Sequence, residues 1–217
     1  MNTEVPDPPD NASGSANQRE SGRDLRRSNI LSLAQQLFSQ KGYEATTMAE
    51  IAQAANLAVG TLYKIFKDKH DLYQTLVADT VQDFERRLAV VMTESTGDEL
   101  AQIHKYIDVG AQLFVEHLPF IRVYFSETGA AFLFTTAGLE DDAFQSYWRI
   151  VAALRETFRR GVEKGLFVDI DPAVLALGLE GVHNAFLGAL VRDPDSFTPE
   201  QIAEYTKRLF FESVLRR

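Results

Sequence analysis

The segment TMAEIAQAANLAVGTLYKIF, residues 47–66, decides the fold class that this sequence predicts. Thr47 and Glu50 have the spacing of a capping box, in which a hydroxyl and a carboxylate satisfy the free amides at a helix start. Asn56 falls where the chain must turn, and asparagine tolerates the left-handed conformation that ends a helix. Two short helices joined by a tight turn form a helix-turn-helix, which places its second helix in the DNA major groove. Their apolar spacing is carried by Ile51, Ala52, Ala55, Leu57 and Leu62.

The bulk composition is that of a soluble globular protein. The 217 residues are 45% hydrophobic and 24% charged, which allows one or two domains with a sizeable core. No apolar run approaches the length needed to span a bilayer, and the first ten residues, MNTEVPDPPD, lack the basic and apolar parts of a secretory signal. The absence of cysteine excludes disulfides and thiolate metal sites. We therefore expect a cytoplasmic protein with no membrane partner, no cofactor and no metal.

The charge of the chain is unevenly distributed. The net charge is −9 and the isoelectric point is near 5.0, which by themselves do not suggest a DNA-binding protein. Residues 19–70, however, contain eight Lys or Arg against five Asp or Glu, whereas residues 71–217 contain fourteen against twenty-three. Salt screens exposed charges beyond about 8 Å, so a basic segment can contact phosphates although the rest of the protein is acidic.

The pattern along the chain predicts an all-α protein of about nine helices and no strands. Residues 1–18 are polar and rich in proline, which predicts a disordered tail. Residues 19–70 form a helix-turn-helix domain, and residues 71–217 form a helical domain for ligand binding and dimerisation. Within the second domain, Asp98 starts a helix to about Leu118 and Pro119 opens another. Further helix ends are indicated by the following signals: Lys41-Gly42, Asp68, Glu140-Asp141-Asp142, Lys164-Gly165, Asp171-Pro172 and the capping box at Thr198.

Two strings, GYEATTMAEIA at 42–52 and GTLYKIFKDKHDL at 60–72, resemble those of the TetR family of transcriptional regulators. The specific match covers roughly residues 25–75. The resemblance implies a three-helix DNA-binding domain, a long connecting helix, and a divergent helical domain that binds an inducer and forms a homodimer. It also implies a repressor that binds a quasi-palindromic operator and is released by a small molecule.

The resemblance also implies roles for individual residues. Thr47 matches a phosphate contact at a helix N-terminus, Tyr63 a contact to the DNA backbone, and Lys69 a lysine that anchors the connecting helix on a phosphate. The positions that face bases are Val59, Gly60, Thr61 and Lys64, and Lys67 adds a further cation. Two residues depart from the pattern: Ala58 replaces a capping side chain, at a cost of about 1 kcal/mol, and Ile65 replaces a polar contact.

Helical spacing agrees with these roles. At 100° per residue, Leu62 and Phe66 face one side of the helix, toward Ile51 and Leu37, while Gly60, Thr61 and Lys64 face the other. The alternative is a solvated face of a protein–protein module. Four arginines precede the first helix, and either a DNA-contacting arm or an ordinary basic helix start explains them. They are Arg19, Arg23, Arg26 and Arg27.

The middle of the chain is rich in aromatic residues, with nine between residues 114 and 148. Small-molecule sites are mostly apolar and aromatic, so this region predicts a ligand pocket; a plain helical core is the alternative. Possible polar anchors are His104, His117, Arg122, Glu127, Arg149, His183 and Asn184. The E-x-x-H spacing of Glu180 and His183 occurs once, so we interpret it as chance rather than a di-iron motif. The candidate ligand-binding residues are Phe114, Phe120, Tyr124, Phe125, Phe144, Tyr147, Trp148 and His183.

The last two helices predict a dimer interface. The segment 171–191 is apolar on most faces and is flattened by Gly178, Gly181 and Gly188, and a helix of this kind must be covered on all sides. A buried core helix of a monomer is the alternative. The sequence thus predicts a homodimeric DNA-binding regulator that is released by a small, largely apolar ligand. A constitutive architectural DNA-binding protein and, less favoured, a helical enzyme stay open, although no catalytic set is readable.

Overall fold

Eight helices make up the part of the chain that the computed structural model describes, which is residues 12–94, 97–128 and 141–215. Within these ranges the one β-type pairing is an isolated bridge between Phe167 and Leu215. The all-α prediction is therefore confirmed. The helices are α1 Ala12–Lys41, α2 Met48–Ala54, α3 Val59–Leu62, α4 Lys69–Glu94, α5 Glu99–Thr128, α6 Asp141–Glu163, α7 Pro172–Arg192 and α8 Pro199–Val214.

The predicted helix starts are confirmed by side chains that accept hydrogen bonds from backbone amides. Asp68 accepts from the amide of Asp71 at 2.8 Å, and Asp98 from that of Ala101 at 2.9 Å. Asp171 accepts from the amide of Ala173, with Pro172 at the first helical position. Two complete capping boxes open α2 and α8, at Thr47 and Thr198. These bonds satisfy donors that have no partner inside the helix.

Left-handed backbone conformations end the helices where the sequence predicts. Asn56 is the one non-glycine residue with a positive φ, 56°, among the described residues, and it turns the chain between α2 and α3. Gly42 follows α1 with φ of 84°, and its amide donates to the carbonyl of Phe38 at 2.8 Å. Both positions therefore need residues that enter this region at little cost.

Three features of the helices differ from the sequence prediction. Helix α1 begins at Ala12, inside the segment predicted as a disordered tail, because extending an existing helix costs far less than nucleating one. Residues 1–11 lie outside the described residues. The predicted helix break at Pro119 is wrong, since α5 runs through it from Glu99 to Thr128. The described part of the chain consequently has eight helices rather than about nine.

Two hydrophobic cores explain why α5 passes through Pro119. The N-terminal core contains Ile30, Phe38, Ile51 and Leu62 from the first three helices and Phe66 from the segment after α3, and the C-terminal core is built mainly from α5 to α8. In α5, Leu118 belongs to the C-terminal core, while Phe120, Val123 and Tyr124 belong to the N-terminal core. Burial on both sides of the proline offsets the hydrogen bond that its ring removes.

Helix α4 also joins the two cores. Leu72, Leu76 and Val77 pack in the N-terminal core, and Leu88 and Val91 pack in the C-terminal core. The N-terminal core therefore extends past residue 70, where the sequence suggests a domain boundary. Both α4 and α5 therefore contribute side chains to the two cores.

Helix α7 requires a correction to the statement that no apolar run could span a bilayer. Among the described residues it is the one helix that is long and apolar enough by length and composition, with a mean hydropathy of 1.6. Only weak evidence for a membrane span follows, because core helices of soluble proteins share these properties. Leu175, Leu179 and Leu187 of α7 are buried against the neighbouring helices.

Candidate nucleic-acid interface and ligand cavity

The second motif helix is held by its apolar side. Leu62 and Phe66 are fully buried in the N-terminal core together with Ile51, as the helical spacing predicts. Asn56 and the bond from the amide of Leu57 to the carbonyl of Ala52, 2.8 Å, set the angle between α2 and α3. The opposite face of α3 is left toward solvent.

The residues predicted to contact DNA are exposed or half-buried positions in and beside the helix-turn-helix. Val59 is 39% exposed and Tyr63 is 51% exposed, although both are large and partly apolar. The remaining exposed positions are Thr47, Gly60, Lys64 and Lys67, while Thr61 and Lys69 are half-buried. A methyl group added at Gly60 would meet no protein atom within 4 Å, so the fold itself does not require glycine there.

Lys69 has a structural role that the sequence did not predict. Its ammonium donates to the carbonyls of Tyr43 at 2.8 Å and Glu44 at 3.3 Å, and it lies 4.2 Å from the centre of the Tyr43 ring. The lysine therefore ties the start of α4 to the loop between α1 and α2. An ammonium has three donors, so one more is available for a phosphate.

The capping box of α2 is reinforced by an ion pair. Lys41 donates to the Glu50 carboxylate at 2.7 Å, and the amide of Thr47 donates to the same carboxylate at 2.9 Å. The bond from Lys41, followed by the bonds from Thr47, lowers the pKa of Glu50 to about 2. The charge of Lys41 is thus neutralised locally. Lys64 and Lys67 make no ion pair within the described residues and leave their charges for an anionic partner.

The four arginines near the N-terminus do not share one environment. Arg27 lies 5.2 Å from the centre of the Phe66 ring and donates to the Thr75 hydroxyl at 3.4 Å, so it packs on its own domain. Arg26 is exposed on α1. The side chains of Arg19 and Arg23 lie outside the described residues.

The two departures from the family pattern have visible consequences. Ala58 precedes α3 without a side-chain hydrogen bond to the helix. Ile65 is half-buried and packs against the N-terminal core, so an apolar contact inside the protein stands where the family pattern has a polar side chain.

A cavity of about 130 Å³ lies between α4, α5, α6 and α7. Six of the eight predicted ligand-binding residues line it: Phe114, Phe120, Tyr124, Phe125, Tyr147 and His183. Other lining residues include Val77, Val81, Phe84 and Leu88 of α4. The wall of the cavity is therefore formed both by α4, the connecting helix, and by residues of the aromatic-rich segment 114–148.

Two of the predicted ligand-binding residues, Phe144 and Trp148, do not line this cavity. They are 39% and 41% exposed and contact each other with ring centres 6.1 Å apart. Because residues four apart share one face of a helix, both lie on the outer face of α6, whereas Tyr147 and Ile150 face inward. Aromatic density alone does not distinguish the two faces.

Most of the predicted polar anchors also lie elsewhere. His183 and Asn184 line the cavity, but His104, His117, Arg122, Glu127 and Arg149 do not. Arg149 pairs with Glu85 on the surface, and the His104 ring contacts that of Phe211 at 4.8 Å between centres.

The sequence does not predict a buried polar contact in the wall of the cavity. The Tyr106 hydroxyl donates to the Glu180 carboxylate at 2.6 Å, and both side chains are buried. Burial raises the pKa of Glu180, which the bond from Tyr106 partly opposes. The signal in the sequence is a carboxylate in an otherwise apolar helix, one turn from His183.

His183 completes this polar end of the cavity. Its ring stacks on that of Tyr106 at 6.0 Å between centres, and its Nε2 atom is buried without a hydrogen-bond partner. Burial lowers the pKa of His183 to about 4, so the ring is neutral at pH 7. Gly110 lies beside this ring, and a methyl group there would be in van der Waals contact with the imidazole Cε1 at 3.4 Å.

One cluster in the described part of the chain has ligand atoms close enough for a metal: Asp83, Glu116 and His117, within 4.8 Å of one another. The guanidinium of Arg87 lies 2.8 Å from Glu116 and 3.4 Å from Asp83, and His117 Nε2 lies 3.1 Å from Asp83. A cation of the protein already occupies this position, so we assign the cluster to ion pairing between α4 and α5.

Comparisons with known proteins identify the motif. The family "Bacterial regulatory proteins, tetR family" matches residues 30–76, which cover α2, α3 and the parts of α1 and α4 that pack on them. The HTH-type transcriptional regulator YhgD of Bacillus subtilis is 22% identical over 162 residues, 75% of this chain and 82% of its own length. The nucleoid occlusion factor SlmA of Vibrio vulnificus is 28% identical over 183 residues, 83% of this chain and 91% of its own length.

The fold extends the likeness beyond the motif. A transcriptional regulator of the TetR/AcrR family from Thermobifida fusca superposes with a TM-score of 0.70 at 22% identity, over 88% of this chain and 99% of its own. This likeness concerns the arrangement of the helices, including those around the cavity. With the helix-turn-helix, its exposed face and the match at residues 30–76, these findings show that the chain belongs to the TetR family of DNA-binding, non-enzymatic transcriptional regulators.

Proposed function

We propose that this regulator is a homodimeric repressor that binds a quasi-palindromic operator and is released when a small, largely apolar molecule enters the cavity. The observation that carries the proposal is the course of α4. Its first residue, Lys69, is bonded to the loop that supports the helix-turn-helix, and its later residues Val77, Val81 and Phe84 line the cavity. One continuous helix thus contacts both sites.

The DNA-binding part of the proposal rests on the exposed face of α3. Val59, Gly60, Thr61 and Lys64 would face base edges, and Thr47, Tyr63, Lys67 and the free donor of Lys69 would contact phosphates. Exposed apolar surface at Val59 and Tyr63 is covered when the helix enters the groove. Arg26 is available as an additional phosphate contact.

The dimer part rests on an apolar stripe along the outer faces of α7 and α8. Val174 and Leu177 are 57% and 50% exposed, and Leu209 is 63% exposed. Gly178 and Gly181 lie on the same exposed face of α7, where small residues permit close approach of a second helix. Two such helices from each subunit would form a four-helix interface and space the recognition helices for two half-sites.

Release follows from the size of the cavity. At about 130 Å³ it is smaller than the usual volume of a ligand site, about 300–1,000 Å³, and we propose that a ligand enters as α4 moves away from α7. A conformer with displaced α4 has recognition helices at another spacing. A ligand that binds this conformer better shifts the population by no more than its difference in affinity for the two states.

The experiment is a DNA-release assay. An operator selected from random duplexes is labelled, and fluorescence anisotropy follows its complex with the protein as compounds that bind the cavity are added. We expect release at compound concentrations that saturate the protein, and no release from a Gly110→Leu variant, whose side chain would enter the cavity beside His183. Compounds that bind the cavity while the complex persists would contradict the proposal.

Constitutive DNA binding is a second candidate, because the 28% identity to a nucleoid occlusion factor spans most of both chains. Such a protein would bind DNA unchanged in the presence of every cavity ligand.

A DNA-binding regulator acts inside the cell, and we assign this one to the cytoplasm.

A further inference from the structure

The polar end of the cavity has an unusual balance of charge. Glu180 is buried, and none of the described residues that line the cavity is Lys or Arg. The segment 129–140, which lies outside the described residues, contains no Lys or Arg in its sequence either. Glu180 therefore has a hydrogen bond from Tyr106 but no cation of the protein in the wall around it.

A buried carboxylate without a counter-charge is costly, and burial accordingly raises the pKa of Glu180. The cost falls if a ligand supplies the positive charge. A ligand carboxylate would instead bring a second negative charge to a site that offers it no cation. The Glu180 carboxylate thus favours ligands that carry a hydrogen-bond donor or a positive charge, and it disfavours anionic ligands.

Aromatic side chains lie beside His183 at this end of the cavity. Phe114 lies edge-on to His183 at 5.7 Å between ring centres, Phe84 lies 5.6 Å from Phe114, and the Tyr106 ring stacks on His183. Ring faces attract a desolvated ammonium group. The neutral His183 adds a buried Nε2 atom without a partner, which can accept a hydrogen bond when the proton is on Nδ1.

We propose that the effector is an organic amine: an apolar, aromatic-sized body with one ammonium group that pairs with Glu180 at the Tyr106–His183 end of the cavity. This inference rests on the proposed ligand-responsive function and specifies the chemistry of its ligand. The apolar body of the ligand occupies the space between α4 and α6. The pairing of its ammonium group with Glu180 of α7 fixes the position of that body.

The experiment compares three probes of the same size, namely phenylbutylamine, phenylbutanol and phenylbutyrate. Calorimetry measures their binding to the full chain at pH 7, where the first is a cation and the last an anion. We expect the amine to bind at least about tenfold more tightly than the alcohol and the carboxylate to bind most weakly. This comparison uses the natural sequence and does not depend on the folding of any variant.

A variant assigns the preference to Glu180. In Glu180→Gln, which keeps the size and can still accept from Tyr106, the amine should lose about tenfold in affinity while the alcohol changes less than about twofold. Glu163→Gln, an exposed change at the end of α6, is the matched control and should alter neither. Circular dichroism and thermal melting confirm that each variant is folded.

Several outcomes would overturn the inference. These are equal or tighter binding of the carboxylate, an amine-to-alcohol ratio that Glu180→Gln leaves unchanged, and binding of none of the probes. DNA release by the bound probes is measured separately. If the alcohol or the carboxylate binds and releases DNA while the amine does not, the amine inference fails and the ligand-released repressor stands; if probes bind without release, the repressor proposal fails.

Discussion

At the scale of single residues, Gly60 and His183 are two positions that the packing of the protein does not account for. The proposed DNA contact accounts for Gly60, and the proposed ligand accounts for His183. Gly60 has open space where a methyl group would be, so the protein itself tolerates a larger residue. His183 is buried and neutral with an unpartnered nitrogen, which costs stability unless a ligand uses it. Both residues yield predictions that separate binding from folding.

Gly60→Ala should stabilise the protein and weaken DNA binding. Alanine is favoured over glycine in a helix by up to about 1 kcal/mol, whereas a methyl group on the docking face prevents close approach of the backbone. We expect an unchanged or higher midpoint in urea and a loss of at least about tenfold in operator affinity by anisotropy. Unchanged affinity would show that this face does not approach DNA.

The buried His183 predicts a loss of stability in mild acid. Its folded pKa is lowered to about 4 from an ordinary value of 6.5, so between pH 6.5 and pH 4 the unfolded chain binds a proton that the folded chain does not. Stability therefore falls as the pH decreases through this window, and the effect is absent above pH 6.5. The contribution of His183 should lower the free energy of unfolding at pH 5 by about 2 kcal/mol relative to pH 7.5.

Urea unfolding at a fixed protomer concentration tests this expectation. In His183→Gln, the difference in unfolding free energy between pH 7.5 and pH 5 should be smaller than in the natural sequence by about that amount. Parallel pH dependences of the two proteins would refute the burial argument, since all other titrating groups are shared.

At the scale of helices, the chain contains two capping boxes of the same construction at functionally different places. Thr47 and Glu50 open α2 beside the DNA-binding face, and Thr198 and Gln201 open α8 in the body of the protein. The two therefore form a natural pair of test and control. Each cap satisfies otherwise unpaired amides at the start of its helix.

Thr47→Ala and Thr198→Ala should each lower the unfolding free energy by about 1 kcal/mol. Only Thr47→Ala should also weaken operator binding, because its hydroxyl and the amides it organises lie where a phosphate would bind. Denaturant melts and DNA titrations of both variants, made at concentrations that keep the dimer, provide the comparison. Equal losses of DNA affinity would mean that stability rather than contact explains the effect.

At the scale of the whole molecule, α4 and α5 connect the two cores. Both helices bury side chains in the N-terminal and the C-terminal core, and the cavity lies between them. The apolar stripe of α7 and α8 lies on another surface, where it would fix the distance between two recognition helices. Assembly should therefore control DNA binding without any change in the motif.

Leu209→Glu should convert the protein to a monomer, because it places a charge in the middle of the proposed four-helix interface. We expect half the mass in analytical ultracentrifugation and a strong loss of affinity for the two-site operator. Val90→Glu, at a 47% exposed apolar residue of α4 away from the stripe, is the control and should leave the dimer intact. A dimer that survives Leu209→Glu would place the interface elsewhere.

Much of the fold could be predicted because its signals are local. The capping hydroxyls, Asn56 and Gly42 act on neighbouring backbone groups, so helix ends follow from residues a few positions apart. The absence of a helix break at Pro119 and the outward position of Phe144 and Trp148 have one cause. Whether a proline is tolerated, or which face of a helix is inside, depends on burial by residues distant in sequence.

The sequence by itself determined the helix-turn-helix, the all-α class and the aromatic region, since each follows from periodicity, caps and a continuous motif. The tertiary structure alone decided which side chains share the cavity, the role of Lys69 as a tie between α4 and the first loop, and the pairing of Tyr106 with Glu180. Tyr106 and Glu180 are 74 residues apart in sequence, and only packing brings them to 2.6 Å. The physical reason is that the pKa and the interactions of a group buried in an apolar wall depend on the groups around it. In this cavity those groups come from four different helices.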